Sequence, residues 1–132
     1  MKLVIGGYAQ GKLEFVLQKE GAENCAVFDG MLPDGKKRQA AVLQGKVMVI
    51  HHFHRWVRKS LQQGNVPEEE IVSFLEQNND CVIICDEIGN GIVPMEAFER
   101  EYRERTGRIL VELAKNAEEV VRVLCGIGQK IK

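Results

Sequence analysis

The chain has little of what marks several common protein classes. Charge of one sign is missing: 18 Lys and Arg stand against 19 Asp and Glu, for a net charge of -1. A protein that grips phosphate backbones needs a basic excess, so nucleic acid is not expected as a partner. No apolar run approaches the roughly 20 residues of a membrane span, and the apolar start is broken too early, at Gly6-Gly7, for a signal peptide. A cytoplasmic protein with no membrane partner is expected. The four cysteines, Cys25, Cys81, Cys85 and Cys125, form no Cys-x-x-Cys pair and lie in apolar, strand-like runs, which reads as buried free thiols in a reducing compartment rather than a disulfide or metal framework. Repeats, linkers and low-complexity segments are also missing. The 132 residues, 45% apolar and 28% charged, suit one domain over residues 1–132 with a real core.

What is present begins at once. Lys2-Leu-Val-Ile5 reads as a buried strand, Gly6 to Gly11 as a glycine-punctuated turn, and Lys12 to Lys19 as a helix. Strand, Gly-x-x-x-x-Gly-Lys, helix is the P-loop arrangement, in which backbone N–H groups and a helix N-terminus surround an anion and the lysine adds a full charge. The candidate phosphate-binding residues are therefore Gly6, Gly7, Tyr8, Ala9, Gln10, Gly11, Lys12 and Leu13. The last breaks the pattern. Where a Ser or Thr hydroxyl would hold Mg²⁺ against nucleotide phosphates, leucine has no lone pair to offer.

Further strands are expected at 24–28, 46–50, 81–85 and 119–124, the fourth of these runs being the last strand, followed by a short basic tail at 129–132. Helices are expected at 53–61, from Pro67 to about Asn79, and at 95–117; residues 36–44 suit a short basic helix or a loop. Alternating strands and helices imply an α/β fold, a mostly parallel sheet with helices on both faces and its ligand at the carboxyl ends of the strands, in the loops after Ile5, Ile50 and Cys85.

A second signature follows the fourth strand. Glu87-Ile-Gly-Asn-Gly-Ile-Val-Pro94, then Tyr102-Arg103 with Gly107-Arg108, Ala117-Glu-Glu-Val120 and Gly126-Ile-Gly-Gln-Lys-Ile-Lys132 resemble, in this order, the bifunctional adenosylcobinamide kinase/adenosylcobinamide-phosphate guanylyltransferase family of cobalamin biosynthesis. The start fits too, since that family opens with an apolar strand into Gly-Gly-x-x-x-Gly-Lys-Ser. The resemblance implies a P-loop fold of the RecA type, a homotrimer, GTP or ATP as nucleotide, a corrinoid substrate, and two reactions: phosphorylation of a cobinamide hydroxyl, then GMP attachment through a guanylylated histidine.

The chain departs from that pattern at chemically sensitive places. Leu13 replaces the hydroxyl, His51 falls where the resemblance implies a magnesium-supporting acid, and the segment bearing the guanylylated histidine is not matched in the interval Met31 to Gly45. Magnesium is therefore expected to be weak or absent. His51 reads either as an imidazolium that partly replaces the metal's charge or as a polar residue at a strand end. Glu87, with Lys12 the candidate catalytic pair, reads either as an acid near magnesium and substrate or as a cap on its own loop. The run His51-His-Phe-His54 hints at a transition-metal site, but neighbouring side chains of an extended strand point to opposite faces, so no metal ligand is assigned. Arg55, Arg58 and Lys59 read as a solvated helix face. Two functions stay open: a reduced, active cobinamide kinase working through Lys12 and Glu87, and a non-catalytic partner or regulator in corrinoid metabolism.

Overall fold

The computed structural model describes every residue except Asn90, so that position of the Glu87–Pro94 signature lies outside the described residues. Six strands form one sheet: β1 (Lys2–Gly6), β2 (Cys25–Asp29), β3 (Val47–His51), β4 (Cys81–Asp86), β5 (Glu119–Leu124) and β6 (Ile127–Lys130). Their spatial order is β2-β3-β4-β1-β5-β6. The first five run parallel, and β6 returns antiparallel along β5. With β4 between β1 and β3, the order is the RecA type that the resemblance implies.

Five α-helices connect the strands: α1 (Lys12–Glu20), α2 (Gly35–Leu43), α3 (Phe53–Gln62), α4 (Pro67–Gln77) and α5 (Ala97–Asn116). Strand alternation sorts the core into two clusters. Val4, Val49, Val82, Ile84, Val121 and Val123 face α1 and pack with Val16. Leu3, Ile50, Ile83 and Cys85 face the other way, onto Ala41 of α2, Phe53, Trp56 and Val57 of α3, Ile71 and Phe74 of α4, and Ile109 and Leu113 of α5. β4 is buried on both faces, which is why its sequence is an unbroken apolar run. No helix among the described residues is long and apolar enough to cross a membrane.

Two expectations are corrected and one open choice is decided. The tail after Gly126 is not a tail: Ile127–Lys130 pairs with Leu124 back to Val121, and because all four residues are exposed no apolar alternation marked them as a strand. Cys125 is not a buried thiol. It is exposed at the β5–β6 turn with φ 50°, while Cys25, Cys81 and Cys85 are buried and free. The undecided stretch 36–44 is helical, started by Asp34, whose carboxylate accepts the N–H of Lys37.

Candidate functional site

The chain leaves β1 toward β2 through α1 on one face and leaves β4 toward β5 through α5 on the other. The carboxyl ends of β1 and β4, paired at Gly6 and Asp86, are thus the switch point where a crevice opens in such sheets. Gly6 to Lys12 wraps it. Gly6 lies so close to the neighbouring strand that a Cβ would come within 2.5 Å of the Val123 carbonyl oxygen. Gln10 ties the loop to the β5–β6 turn, its side-chain carbonyl accepting from the Cys125 N–H at 2.7 Å and its backbone carbonyl from the Gly126 N–H at 2.8 Å. Ala9 and Gly11 take left-handed backbone angles, φ 53° and 83°. No side chain among the described residues caps α1 at Gly11, so its first N–H groups remain available to an anion. A cavity of about 220 Å³ lies over the loop, lined by Tyr8 to Glu14, His51, His52 and Asp86.

Lys12 is buried beneath the loop. Its ammonium donates to the Gly7 carbonyl at 2.5 Å and pairs with Asp86 at 2.7 Å. Asp86 is also held from α3. Its backbone N–H donates to His54 Nδ1 at 3.3 Å, and its second carboxylate oxygen lies 3.5 Å from His54 Nε2. The accepting Nδ1 puts the ring proton on Nε2, facing the carboxylate. Burial pushes the His54 pKa down to about 4, so near neutrality the ring is an uncharged donor that orients Asp86.

The acid at this site is Asp86, and Glu87 points elsewhere. Both Glu87 oxygens are taken by Arg122 of β5, at 2.9 and 3.1 Å, and the Glu87 N–H donates to the Gly6 carbonyl. The signal that could have found Asp86 is its place as the single acid closing a strand buried on both faces. His51 does line the loop cavity. Burial and the neighbouring His52 hold its pKa below the ordinary value, so near neutrality it is a neutral imidazole and supplies no cation.

The expected divergence of His51 and His52 does not occur. His52 has φ 53° and ψ 49°, which turns the chain out of β3 directly after His51, and the two rings stack at 3.6 Å. Asp29, register partner of His51, accepts from His52 Nδ1 at 2.5 Å, and this hydrogen bond holds its carboxyl below the ordinary range. Arg58 is likewise more than a solvated charge. It grips Glu99 at 2.6 and 2.8 Å and lies over the Tyr102 ring, fastening α3 to α5.

Residues 33–131 match the model of a family described as cobinamide kinase / cobinamide phosphate guanyltransferase. The chain belongs to that family. It is 45% identical over 81 residues to the bifunctional adenosylcobalamin biosynthesis protein CobU of Escherichia coli, a stretch covering 58% of this chain and 44% of that protein. Against the protein of the same name from Salmonella typhimurium it is 45% identical over 51 residues, covering 39% and 28%. The chain thus spans less than half the length of these curated relatives. Within the cobinamide kinase match fall β3, β4, His54 and Asp86, while the glycine loop precedes it and is read from its own geometry.

A kinase-type family implies magnesium beside the nucleotide phosphates, and the donors here do not suit it. Leu13 is hydrocarbon where an oxygen would stand, His51 and His52 offer nitrogen to an ion that selects oxygen, and Asp86 is engaged by Lys12 and His54. The other carboxylate on the cavity, Glu14, is exposed on the first turn of α1.

Proposed function

We propose that this cobinamide kinase family member acts in cobalamin biosynthesis by holding the phosphates of GTP or ATP in the Gly6–Leu13 loop, with no magnesium seated by its own side chains. The observation that carries the reading is the Lys12–Asp86 pair under an uncapped helix start. The ammonium and the loop amides attract an oxyanion, while the adjacent carboxylate opposes it. Binding then depends on how far a phosphate can draw Lys12 away from Asp86.

Guanylyl transfer is absent in this reading. The interval 31–45 is filled by α2 and its flanks, which contain no histidine, and His54 is buried against Asp86. Without a magnesium seat, and without a histidine in the interval where the resemblance places the nucleophile, the chain serves as a nucleotide-responsive partner in corrinoid metabolism. A trimer, as the resemblance implies, accords with Ile92, Val93 and Met95 standing exposed in the loop after β4.

One observation favours a second reading, an active kinase. Asp86 lies at the switch point, hydrogen-bonded to a neutral histidine, where an acid could accept the proton of a substrate hydroxyl. Incubating the protein with adenosylcobinamide and Mg-GTP or Mg-ATP separates the two. Nucleotide binding without phosphorylated product supports the first; steady turnover that is lost in Asp86→Asn supports the second.

A further inference from the structure

We propose that Asp29, His51 and His52 form a binding site for a borderline divalent cation of the Zn²⁺ type, open on one side to the phosphate loop. The three residues come from the carboxyl ends of two adjacent strands. Each offers one ligand atom, and these atoms all lie within 4.8 Å of one another. From Asp29 Oδ1, the Nδ1 atoms of His52 and His51 are 2.5 and 3.9 Å away. Around a tetrahedral ion with bonds of about 2.0–2.1 Å, ligand atoms stand roughly 3.4 Å apart, a value between these two separations. Binding would move Asp29 and His52 apart, draw His51 in, and tilt the two rings, stacked at 3.6 Å, until both nitrogens face one point.

The backbone itself argues for the cluster. A left-handed conformation at a residue with a β-carbon is uncommon, and at His52, with φ 53°, it brings two imidazoles side by side that an extended strand would separate. Two nitrogens and one carboxylate oxygen match zinc, cobalt(II) or nickel(II) and are poor for magnesium. Arg55, exposed on the next turn and felt electrostatically by Asp29, opposes a cation in part, so micromolar rather than tighter binding is expected.

Three protein ligands leave a coordination position unfilled. His51 and His52 also line the 220 Å³ cavity over the loop, so the open position faces the space assigned to phosphate. The ion would take a phosphate oxygen there, a role that rests on the phosphate-binding reading above; metal binding itself does not.

The metal-stripped full chain should be titrated with Zn²⁺ by calorimetry and with Co²⁺ by visible absorption. His52→Asn is the informative variant, because asparagine keeps the left-handed backbone and deletes the ligand; Asp29→Asn is its companion, and thermal melts check that both are folded. One ion per chain, with visible cobalt bands, and at least about tenfold weaker binding in both variants is expected. No binding at micromolar metal, or binding by either folded variant as tight as by the unaltered chain, would overturn the site. Pyrophosphate titrated with and without Zn²⁺ separates the two readings. Tighter binding with Zn²⁺ in the unaltered chain alone supports the shared oxygen, and an unchanged affinity refutes it. Failure of pyrophosphate to bind under either condition removes the phosphate reading and the shared oxygen with it, while the metal titration still decides the ion site.

Discussion

Replacing Asp86 by Asn isolates the electrostatic tension at the centre of the site. Asp86 lies 2.7 Å from the Lys12 ammonium, and a phosphate oxygen bound by that ammonium would stand about 2.8 Å beyond it. Carboxylate and phosphate would thus be no more than about 5.5 Å apart. Coulomb's law then gives a repulsion of about 0.8 kcal/mol per phosphate charge at the dielectric constant of water and about 3 kcal/mol at an effective value near 20. Counting the one nearest phosphate charge, removing the carboxylate should tighten pyrophosphate binding by about fourfold to about 150-fold. The same change leaves Lys12 with the Gly7 carbonyl as its remaining close partner, and unpairing a buried ion pair costs about 3–5 kcal/mol, so the melting temperature should fall. Calorimetric titration of pyrophosphate into both proteins, in EDTA at pH 7, reads the affinity, and a thermal melt with pyrophosphate present confirms the fold. Lys12→Met, which keeps Asp86 and removes the cation, should lose affinity. Unchanged or weaker pyrophosphate binding in folded Asp86→Asn would refute the reasoning.

Other expectations follow from the same geometry. Leu13→Thr returns an oxygen to the position after the lysine and should make GTP binding respond to Mg²⁺, read by titration with and without the ion; because Leu13 packs partly against the α1-side core, a stability loss of about 1 kcal/mol should accompany it. Gly6→Ala drives a β-carbon to within 2.5 Å of the Val123 carbonyl oxygen and should cost about 1–3 kcal/mol in urea unfolding, with weaker phosphate binding as the loop shifts. Glu68→Gln tests the α4–α5 pair. The Arg105 guanidinium holds the folded Glu68 carboxyl below its ordinary value of 4.5, so its stabilisation is full above that pH and lost as pH falls through the folded value. The pair is partly exposed, so the variant should be weaker by about 0.5 kcal/mol at pH 7 and equal to the unaltered protein in acid.

The fold was legible because β1, β3, β4 and β5 carry apolar runs with buried residues and α3, α4 and α5 carry clear start signals or apolar stripes; β2, at the sheet edge with one buried residue, was found from its apolar sequence alone. β6 was not, since an edge strand with four exposed residues carries no apolar pattern. The loop was legible from Gly6, Gly11 and Lys12, whose spacing the backbone requires. Its acidic partner was not, because Asp86 and Glu87 are adjacent in sequence and only the pleat of β4 decides which of them turns to Lys12 and which to Arg122. The histidines misled for a similar reason. Divergence of His51 and His52 assumed an extended chain, and one left-handed residue cancelled it.

GTP titrated into the purified chain in EDTA and again in excess Mg²⁺ tests the central claim most directly. A loop that keeps its amides and Lys12 but offers magnesium no seat predicts measurable binding in EDTA that changes less than about threefold with the ion. Binding seen only with Mg²⁺, or tightened by about tenfold or more, would contradict it.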